Sequence, residues 1–213
     1  MSRERMERRW LSTRRYNSTL SWGDVPYSVA PYVPTPHKVV TKMLKLARIE
    51  PNDVVFDLGC GDGRILFAAV EEFGASKAVG YDINASLCES LRTKVEVKGL
   101  EDRIEVLHKN FFKMNISEAT VVTVYLTTSG NSKLRPKLEE ELRIGARVVS
   151  HDFPFNDWVT DKPSGPHHYT LGSHKIFLYN IPQAYQTGLK GKRSTQEDSR
   201  WKRLRELLLG EEP

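Results

Sequence analysis

Three glycines at alternate positions form the part of this sequence with the clearest chemical meaning. Gly59, Gly61 and Gly63 lie in VVFDLGCGDGRIL, with Asp57 before them and Asp62 between the last two. Glycine lets a backbone approach a bound molecule closely, and the amide groups at the start of a helix favour an anionic group such as a carboxylate. The spacing therefore predicts a ligand-binding loop between a strand and a helix.

The acidic residues of this loop restrict the kind of ligand. A dinucleotide fingerprint needs glycine at position 64, where the chain has Arg64, and a P-loop needs a Gly-Lys-Ser/Thr ending that the chain lacks. Carboxylates beside a pyrophosphate would also repel it in a partly buried site. S-adenosylmethionine carries a sulfonium, an ammonium and one carboxylate but no phosphate, so Asp57 can attract its ammonium group. The loop therefore predicts S-adenosylmethionine as the cofactor.

Polar and aromatic residues at the next two strand ends extend the predicted site. Asp82 ends the second strand, where an acid in such folds accepts hydrogen bonds from ribose hydroxyls. Asn110 and Phe111 end the third, where they can contact the amino edge and the face of an adenine. Taken singly, Asp82 can instead cap a helix and Phe111 can instead belong to the core. Their joint position at consecutive strand ends favours the cofactor site.

Apolar runs and helical periodicities alternate along the chain. Thr35 is predicted to cap a first helix that has Pro36 at its first position. Strands are predicted at 54–59, 77–83, 103–109, 121–126 and 146–153, and helices at 63–74, 85–100 and 131–142, the last with Pro136 near its first turn. This alternation predicts a parallel, doubly wound α/β sheet with right-handed crossovers.

The C-terminal part of the pattern breaks this alternation. HHYTL at 167–171 and HKIFLYNI at 174–181 are separated by two residues, which is hairpin spacing and requires antiparallel pairing. The fold class predicted is therefore α/β: a Rossmann-like, doubly wound and mostly parallel sheet that ends in an antiparallel hairpin. This is the outline of a Class I methyltransferase.

Length and composition indicate one domain with two appendages. We assign residues 1–24 to a basic arm, 25–183 to the catalytic domain and 184–213 to a basic tail with a short amphipathic helix. The sequence has neither a run of about 20 apolar residues nor a secretion signal, and its two cysteines are too few for a disulfide framework. We therefore expect a cytoplasmic protein without a membrane span, and a monomer.

The net charge of +5 is concentrated in the terminal segments. Residues 1–23 hold six Arg against two Glu, and residues 185–213 hold seven Lys or Arg against five acids. These segments could hold DNA phosphates and present a nucleoid protein to the site. An equally simple interpretation is that Trp10 and the stripe from Trp201 to Leu208 pack on the domain while the arginines are solvated.

A more specific resemblance lies on both sides of the glycine loop. PYVPTPHKVVTKMLKLA before it and ISEATVVTVYL…LRPKLEEELRIGARVVSHDF after it closely resemble archaeal Dot1-like protein lysine methyltransferases. The resemblance runs from about residue 31 to about residue 181. It implies a seven-stranded sheet and a protein lysine amine as the methyl acceptor.

The resemblance also implies roles for individual residues. Tyr32 and Thr35 match a segment that closes over the cofactor, and Tyr125 and Asn131 match residues beside the transferred methyl group. The remaining cofactor positions of the family match Asp57, Gly59, Gly61, Gly63, Asp82, Asn110 and Phe111. The family often has glutamate where this chain has Asp82, and aspartate where it has Asn110.

Methylation of a lysine requires the neutral amine, although an ordinary lysine with a pKa of about 10.4 is almost fully protonated at pH 7. An apolar, aromatic-lined channel beside the sulfonium would favour the neutral form. The candidate walls are Tyr32, Tyr125, Phe153, Phe155 and Trp158. His151 and Asp152 are interpreted as structural, because methyl transfer to an amine needs no obligatory base.

Other acceptors remain as alternatives. A nucleic-acid base methyltransferase usually has an Asn/Asp-Pro-Pro-aromatic turn after the fourth strand, where this chain reads Leu126-Thr127-Thr128-Ser129. An arginine methyltransferase needs a hairpin with two glutamates, and the glutamates of LEEEL at 138–142 lie on a predicted helix. A small-molecule methyltransferase needs an inserted lid, for which only the connection at 153–166 is long enough.

Overall fold

The computed structural model describes residues 30–162 and 165–185. They form a seven-stranded sheet in the order β3-β2-β1-β4-β5-β7-β6. The strands are β1 (Val54–Leu58), β2 (Lys77–Asp82), β3 (Ile104–His108), β4 (Val121–Val124), β5 (Arg147–His151), β6 (Tyr169–Leu171) and β7 (His174–Asn180). The first five are parallel, and β7 pairs antiparallel with both β5 and β6. The predicted fold class and all seven predicted strands are confirmed.

Helices cover the sheet at the predicted places. They are α1 (His37–Ala47), α2 (Arg64–Phe67, continued by a π-helical turn at Ala68–Glu72), α3 (Ala85–Val97) and α4 (Thr128–Glu141), with a 3-10 turn at Phe111–Lys113 after β3. None of the helices in this part of the chain combines the length and the apolar character that crossing a bilayer requires.

Two hydrophobic clusters of buried side chains hold the layers together. The apolar stripe of α1, from Val39 to Ala47, is buried in one cluster with residues of α2 and α3. Leu134 and Leu138 of α4 are buried in the other, together with Tyr179 of β7. Strand β1 contributes side chains to both clusters, as expected for a central strand covered on both faces.

The starts of two helices differ from the prediction. Helix α1 begins at His37 after Pro36, and no side chain caps it; Thr35 Oγ1 lies 3.1 Å from Nδ1 of the buried His151 instead. A buried ring nitrogen needs a polar partner, so the Thr35 hydroxyl is a hydrogen-bond partner of His151 and not a helix cap. Helix α4 begins at Thr128, capped by Thr127, which places Pro136 inside the helix and not near its first turn.

Gly63 shows how tightly the start of α2 packs against α3. Its φ of +80° lies in the left-handed region, and a Cβ added there would lie 2.3 Å from Cδ1 of the buried Leu91. We expect Gly63→Ala to lower the free energy of unfolding by about 2–4 kcal/mol, from backbone strain and overpacking together. Denaturant unfolding followed by circular dichroism would measure this.

Gly74→Ala is the matched control, because Gly74 has a φ of +76° with no atom within 4 Å of an added Cβ. It should cost only about 1 kcal/mol, the backbone contribution alone. Equal losses in the two variants would contradict the packing argument.

Candidate active site

A cavity of about 890 Å³ opens at the carboxyl ends of β1 to β4. Strand order reverses between β1 and β4, and open α/β sheets bind their ligands at such a reversal. Nine of the predicted site residues line this cavity: Tyr32, Thr35, Asp57, Gly59, Gly61, Asp82, Asn110, Phe111 and Tyr125. Gly63 and Asn131 are not among the lining residues. The cavity is large enough for a nucleoside-sized ligand.

The end of β2 is bonded directly to the glycine loop. Asp82 Oδ2 accepts a hydrogen bond of 2.9 Å from the Gly61 amide, and its Oδ1 accepts one of 2.8 Å from the Asn84 amide. The cap of α3 is Asn84, which accepts from the Leu87 amide, so capping does not explain Asp82. Asp82 therefore holds the loop in place and presents a carboxylate to the cavity.

Asp57 is a buried carboxyl on the cavity wall. It is 3% exposed, and Thr123 Oγ1 donates a hydrogen bond of 2.8 Å to its Oδ1. Burial is the main cause that raises the pKa of Asp57 to about 7; the Thr123 hydrogen bond opposes the shift, and the nearby Asp82 and Asp62 add smaller increases that are included in this value. A ligand ammonium beside Asp57 would stabilise its ionised form, so this residue fits the cationic amino group of S-adenosylmethionine.

Among the described residues, one arginine, Arg64, lines the cavity, and an acid already neutralises it. Arg64 Nε and Nη2 donate to the two oxygens of Asp62 at 2.9 and 2.5 Å, and Nη1 donates to the Thr35 carbonyl at 2.6 Å. The Arg64 guanidinium also holds the pKa of Asp62 below its usual range. Arg64 thus ties the glycine loop to the segment before α1, an arrangement that does not favour a phosphate at this position.

The segment before α1 covers the glycine loop. A Cβ at Gly61 would lie 2.5 Å from Cε2 of Tyr32, so the aromatic ring lies directly on the bare backbone. The Tyr32 side chain is 53% exposed and so forms the outer surface of the cavity. This placement is the one that a segment closing over a cofactor needs.

The end of β3 provides the far wall. Asn110 Oδ1 accepts from the Phe112 amide at 3.0 Å and so begins the 3-10 turn. Phe111 is only 6% exposed and belongs to the hydrophobic core as well as to the cavity wall. Phe111 is therefore a core residue, and its contact with an adenine stays a prediction.

Tyr125 forms the wall near the end of β4 and contacts one polar ring and one carboxylate. Its ring centroid lies 3.9 Å from that of His151, and its hydroxyl donates to Asp152 Oδ2 at 3.2 Å. Burial raises the pKa of Tyr125, and the Asp152 carboxylate adds to the shift. Burial also lowers the pKa of His151 to about 4. Tyr125 is thus a neutral phenol beside a neutral imidazole.

Asn131 does not lie beside the cavity, which corrects its predicted position. It is fully buried, and its Nδ2 donates to the Phe153 carbonyl at 2.9 Å and to Ser150 Oγ at 3.2 Å. Because α4 begins three residues earlier than predicted, Asn131 faces the loop after β5. It holds that loop in place.

The predicted aromatic channel is also smaller than expected. Phe155 and Trp158 stack on each other at 4.6 Å between ring centroids and pack against Tyr179 in the core. Phe153 lies near Tyr125, at 6.3 Å between centroids, but is not a lining residue. Of the five candidate walls, Tyr32 and Tyr125 line the cavity.

Sequence reasoning missed several lining residues. Leu126, Ile83 and Leu87 add apolar surface to the cavity, and Lys133 adds a cation from α4. Ile83 and Leu126 directly follow the predicted site residues Asp82 and Tyr125, and that position is the signal that would have found them. Lys133 gave no such signal. With the helix predicted to start at 131, the sequence did not indicate whether the Lys133 side chain faces the cavity.

The raised pKa of Asp57 predicts pH-dependent cofactor binding. The ionised carboxylate binds an ammonium, so we expect the Kd for S-adenosylmethionine to rise about tenfold for each pH unit below about 7. The ligand's own α-amino group stays protonated over this range, since its ordinary pKa is about 7.7–8.0. Calorimetric titrations from pH 8 to pH 5 would measure the profile. An unchanging Kd would contradict the role of Asp57.

Comparison with known proteins shows to which family the chain is similar. The family profile described as ANTKMT methyltransferase domain matches residues 57–162. A protein-lysine N-methyltransferase of Saccharolobus islandicus is 44% identical over 151 residues, which cover 71% of this chain and 93% of that protein. The mouse adenine nucleotide translocase lysine N-methyltransferase is 37% identical, and the match spans 63% of its length.

A solved structure supports the fold and the cofactor. It is described as an RNA methyltransferase from Salinibacter ruber in complex with S-adenosyl-L-homocysteine. It shares 42% identity and a TM-score of 0.66 with this chain, and the match covers 71% of this chain and 95% of that one. The chain therefore belongs to the ANTKMT-type family of protein-lysine N-methyltransferases, and it is an S-adenosylmethionine-dependent enzyme of the Class I fold.

Proposed function

We propose that this enzyme methylates lysine side-chain amines of protein substrates. The observation that carries the proposal is the 44% identity to a protein-lysine N-methyltransferase whose length this chain matches to 93%. The polar wall of the cavity supports it, because two carboxyls and a neutralised arginine suit a cationic cofactor.

We assign each part of the cofactor to residues at successive strand ends. Asp57 holds the ammonium, Asp82 the ribose hydroxyls, and Asn110 with Phe111 the adenine, while Gly59 and Gly61 leave room for the ligand beside the backbone. Tyr32 and Thr35 cover the site. The cofactor supplies an activated methyl group on its sulfonium.

Tyr125 is assigned to the acceptor side of the cavity. Its hydroxyl is oriented by Asp152 and its ring by His151, so the phenol stays fixed. Together with Tyr32 it excludes water from an entering lysine, and exclusion of water favours the neutral, nucleophilic amine. In this assignment the chain aligns and desolvates the amine and supplies no obligatory base.

RNA is the second candidate acceptor, because the Salinibacter protein is described as an RNA methyltransferase. The end of β4 argues against base methylation. Helix α4 begins at Thr128, where an enzyme that flips a base has an extended Pro-Pro turn. Residues 153–162, the described first part of the β5–β6 connection, argue against a substrate lid, because Phe155 and Trp158 anchor them in the core.

The acceptor can be identified with radiolabelled S-adenosylmethionine and native cell extract, treated with nuclease or with protease. We expect label in protein bands that survives nuclease, and methyl-lysine by mass spectrometry of those bands. The Asp82→Ala variant is the control for enzyme-dependent label. If nuclease removes the label and protease does not, the methyl acceptor is nucleic acid and the proposal of a lysine acceptor is wrong.

The finer assignments made from sequence also remain proposals. They are a Dot1-like relationship, a catalytic domain of residues 25–183 in a cytoplasmic monomer, and DNA or nucleoid binding by the basic arm (1–24) and tail (184–213). The arm and nearly all of the tail, with the predicted amphipathic helix, lie outside the described residues. DNA binding by these segments predicts a steep dependence of affinity on salt. Unchanged DNA affinity after removal of both segments would contradict it.

A further inference from the structure

Three side chains converge on one point beside Tyr125. His151 ends β5, Asp152 follows it, and His174 begins β7. His151 Nε2 lies 3.0 Å from His174 Nδ1 and 3.3 Å from Asp152 Oδ2, and His174 Nδ1 lies 3.1 Å from the same oxygen. The three atoms therefore form a nearly equilateral triangle.

Hydrogen bonds alone cannot satisfy this triangle. Each ring nitrogen carries either a proton or a lone pair, and the carboxylate oxygen only accepts. If one nitrogen is protonated, the other faces the carboxylate with a lone pair. If both are protonated, two N–H groups face each other at 3.0 Å. Every placement of protons leaves at least one repulsive contact, whereas a cation at the centre accepts all three lone pairs.

The edges of the triangle match the spacing of ligands around a transition metal. Zinc binds imidazole nitrogen and carboxylate oxygen at about 2.0–2.2 Å, so neighbouring ligands are about 3.3 Å apart at tetrahedral angles and about 3.0 Å apart at right angles. The observed edges of 3.0, 3.1 and 3.3 Å lie in this range. Two imidazoles and one carboxylate suit divalent transition metals and leave further positions for water.

Outer contacts orient all three groups toward the centre. Thr35 Oγ1 lies 3.1 Å from His151 Nδ1 and can accept its proton, which leaves the Nε2 lone pair pointing inward. The Lys175 amide donates to Asp152 Oδ1 at 2.8 Å, so the other oxygen faces the histidines. Asp152 also has a φ of +59°, a left-handed conformation that places its carboxylate beside both rings.

We propose that His151 Nε2, His174 Nδ1 and Asp152 Oδ2 bind a divalent transition-metal ion of the zinc class. The ion enters from the side of His174 and Asp152, whose side chains are 30% and 23% exposed, while His151 is fully buried. It links the end of β5 to the start of β7, and through His151 and Asp152 it supports Thr35 and Tyr125. The site is thus a structural support for the cavity wall, separate from the methyl-transfer chemistry.

The test uses the full chain without a histidine tag, stripped with a chelator and titrated with Zn²⁺ by calorimetry. We expect about one Zn²⁺ per chain, a higher melting temperature in its presence, and with Co²⁺ the visible absorption of low-coordinate cobalt. His174→Asn and Asp152→Asn should each weaken Zn²⁺ binding on the order of 100-fold and abolish the cobalt spectrum. Both residues are partly exposed, so we expect these variants to destabilise the folded protein less than a substitution of the buried His151 would.

His167→Asn is the matched control, because His167 is exposed on the same β5–β6 connection and its Nδ1 lies 3.0 Å from a backbone carbonyl, outside the cluster. It should bind Zn²⁺ like the unaltered protein. Zn²⁺ affinity that is unchanged in a folded His174→Asn variant, or failure of the unaltered protein to bind either ion, would overturn the proposal.

Discussion

The substitution Asp57→Asn is expected to weaken S-adenosylmethionine binding on the order of 100-fold or more while making the ligand-free protein more stable. Binding weakens because the buried carboxylate is replaced by a neutral amide, which costs about 3 kcal/mol or more where a charged pair is lost. Calorimetry at pH 8 would measure the Kd. Glu89→Gln, at an exposed position on α3, should leave it unchanged.

The gain in stability follows from the direction of the Asp57 pKa shift. The pKa rises from 3.8 to about 7 on folding, so the stabilising contribution of this carboxyl is complete below about pH 3.8 and is lost as the pH rises through about 7. At pH 8 the ionised Asp57 therefore costs up to about 4 kcal/mol, which the asparagine variant avoids.

Denaturant unfolding at pH 8 and pH 5 would test this. The advantage of Asp57→Asn should shrink by about half at the lower pH, where Asp57 is protonated in the folded protein. A variant that is both less stable at pH 8 and unchanged in affinity would show that Asp57 has only a structural role.

Removing the carboxylate of Asp82 is expected to lower cofactor affinity on the order of 100-fold. In the proposed assignment, the variant loses about 3 kcal/mol because two charge-assisted hydrogen bonds from the ribose hydroxyls are removed. Asp82→Ala also releases the amides of Gly61 and Asn84, so we expect a second loss of about 1–2 kcal/mol in stability, which leaves the protein folded.

Two further variants separate these effects. Asp82→Glu keeps a carboxylate and should retain affinity within about tenfold. Asp82→Asn presents an amide group to two backbone donors and should behave like alanine. Calorimetric Kd values for the three variants, with circular dichroism to confirm folding, decide the matter. Near-normal affinity in Asp82→Ala would remove the ribose assignment.

The strands were predictable because each is a short apolar run bounded by turn residues, and such runs have few alternatives. The strand-end residues were predictable for the same reason: once the strands are placed, parallel topology brings Asp57, Asp82 and Tyr125 to one edge of the sheet. Local sequence pattern therefore indicated the fold, the cofactor and nine of the residues that line the cavity.

What the sequence could not show depends on contacts between distant residues. The sequence around Thr35 predicts a helix cap, but in the structure its hydroxyl forms a hydrogen bond with His151, 116 positions away. Asn131 looks like a site residue until the true start of α4 turns it toward the loop after β5. Phe155 and Trp158 stack on each other and pack against Tyr179, which lies on a distant strand. The sequence of the loop after β5 therefore does not show whether its aromatic residues belong to the core or line a substrate channel.

The reversal of strand order between β1 and β4 also separates the part of the chain that binds the cofactor from the part that follows β4. In the proposed assignment, the residues that recognise the nucleoside lie on the β1–β3 side, whereas Tyr125, which meets the acceptor together with Tyr32 from the segment before α1, follows β4. Substrate preference can then diverge by changes in the second half alone, with cofactor recognition left intact. Chimeras that join the first half of this chain to the second half of a relative with another substrate should bind the same cofactor and modify the relative's target.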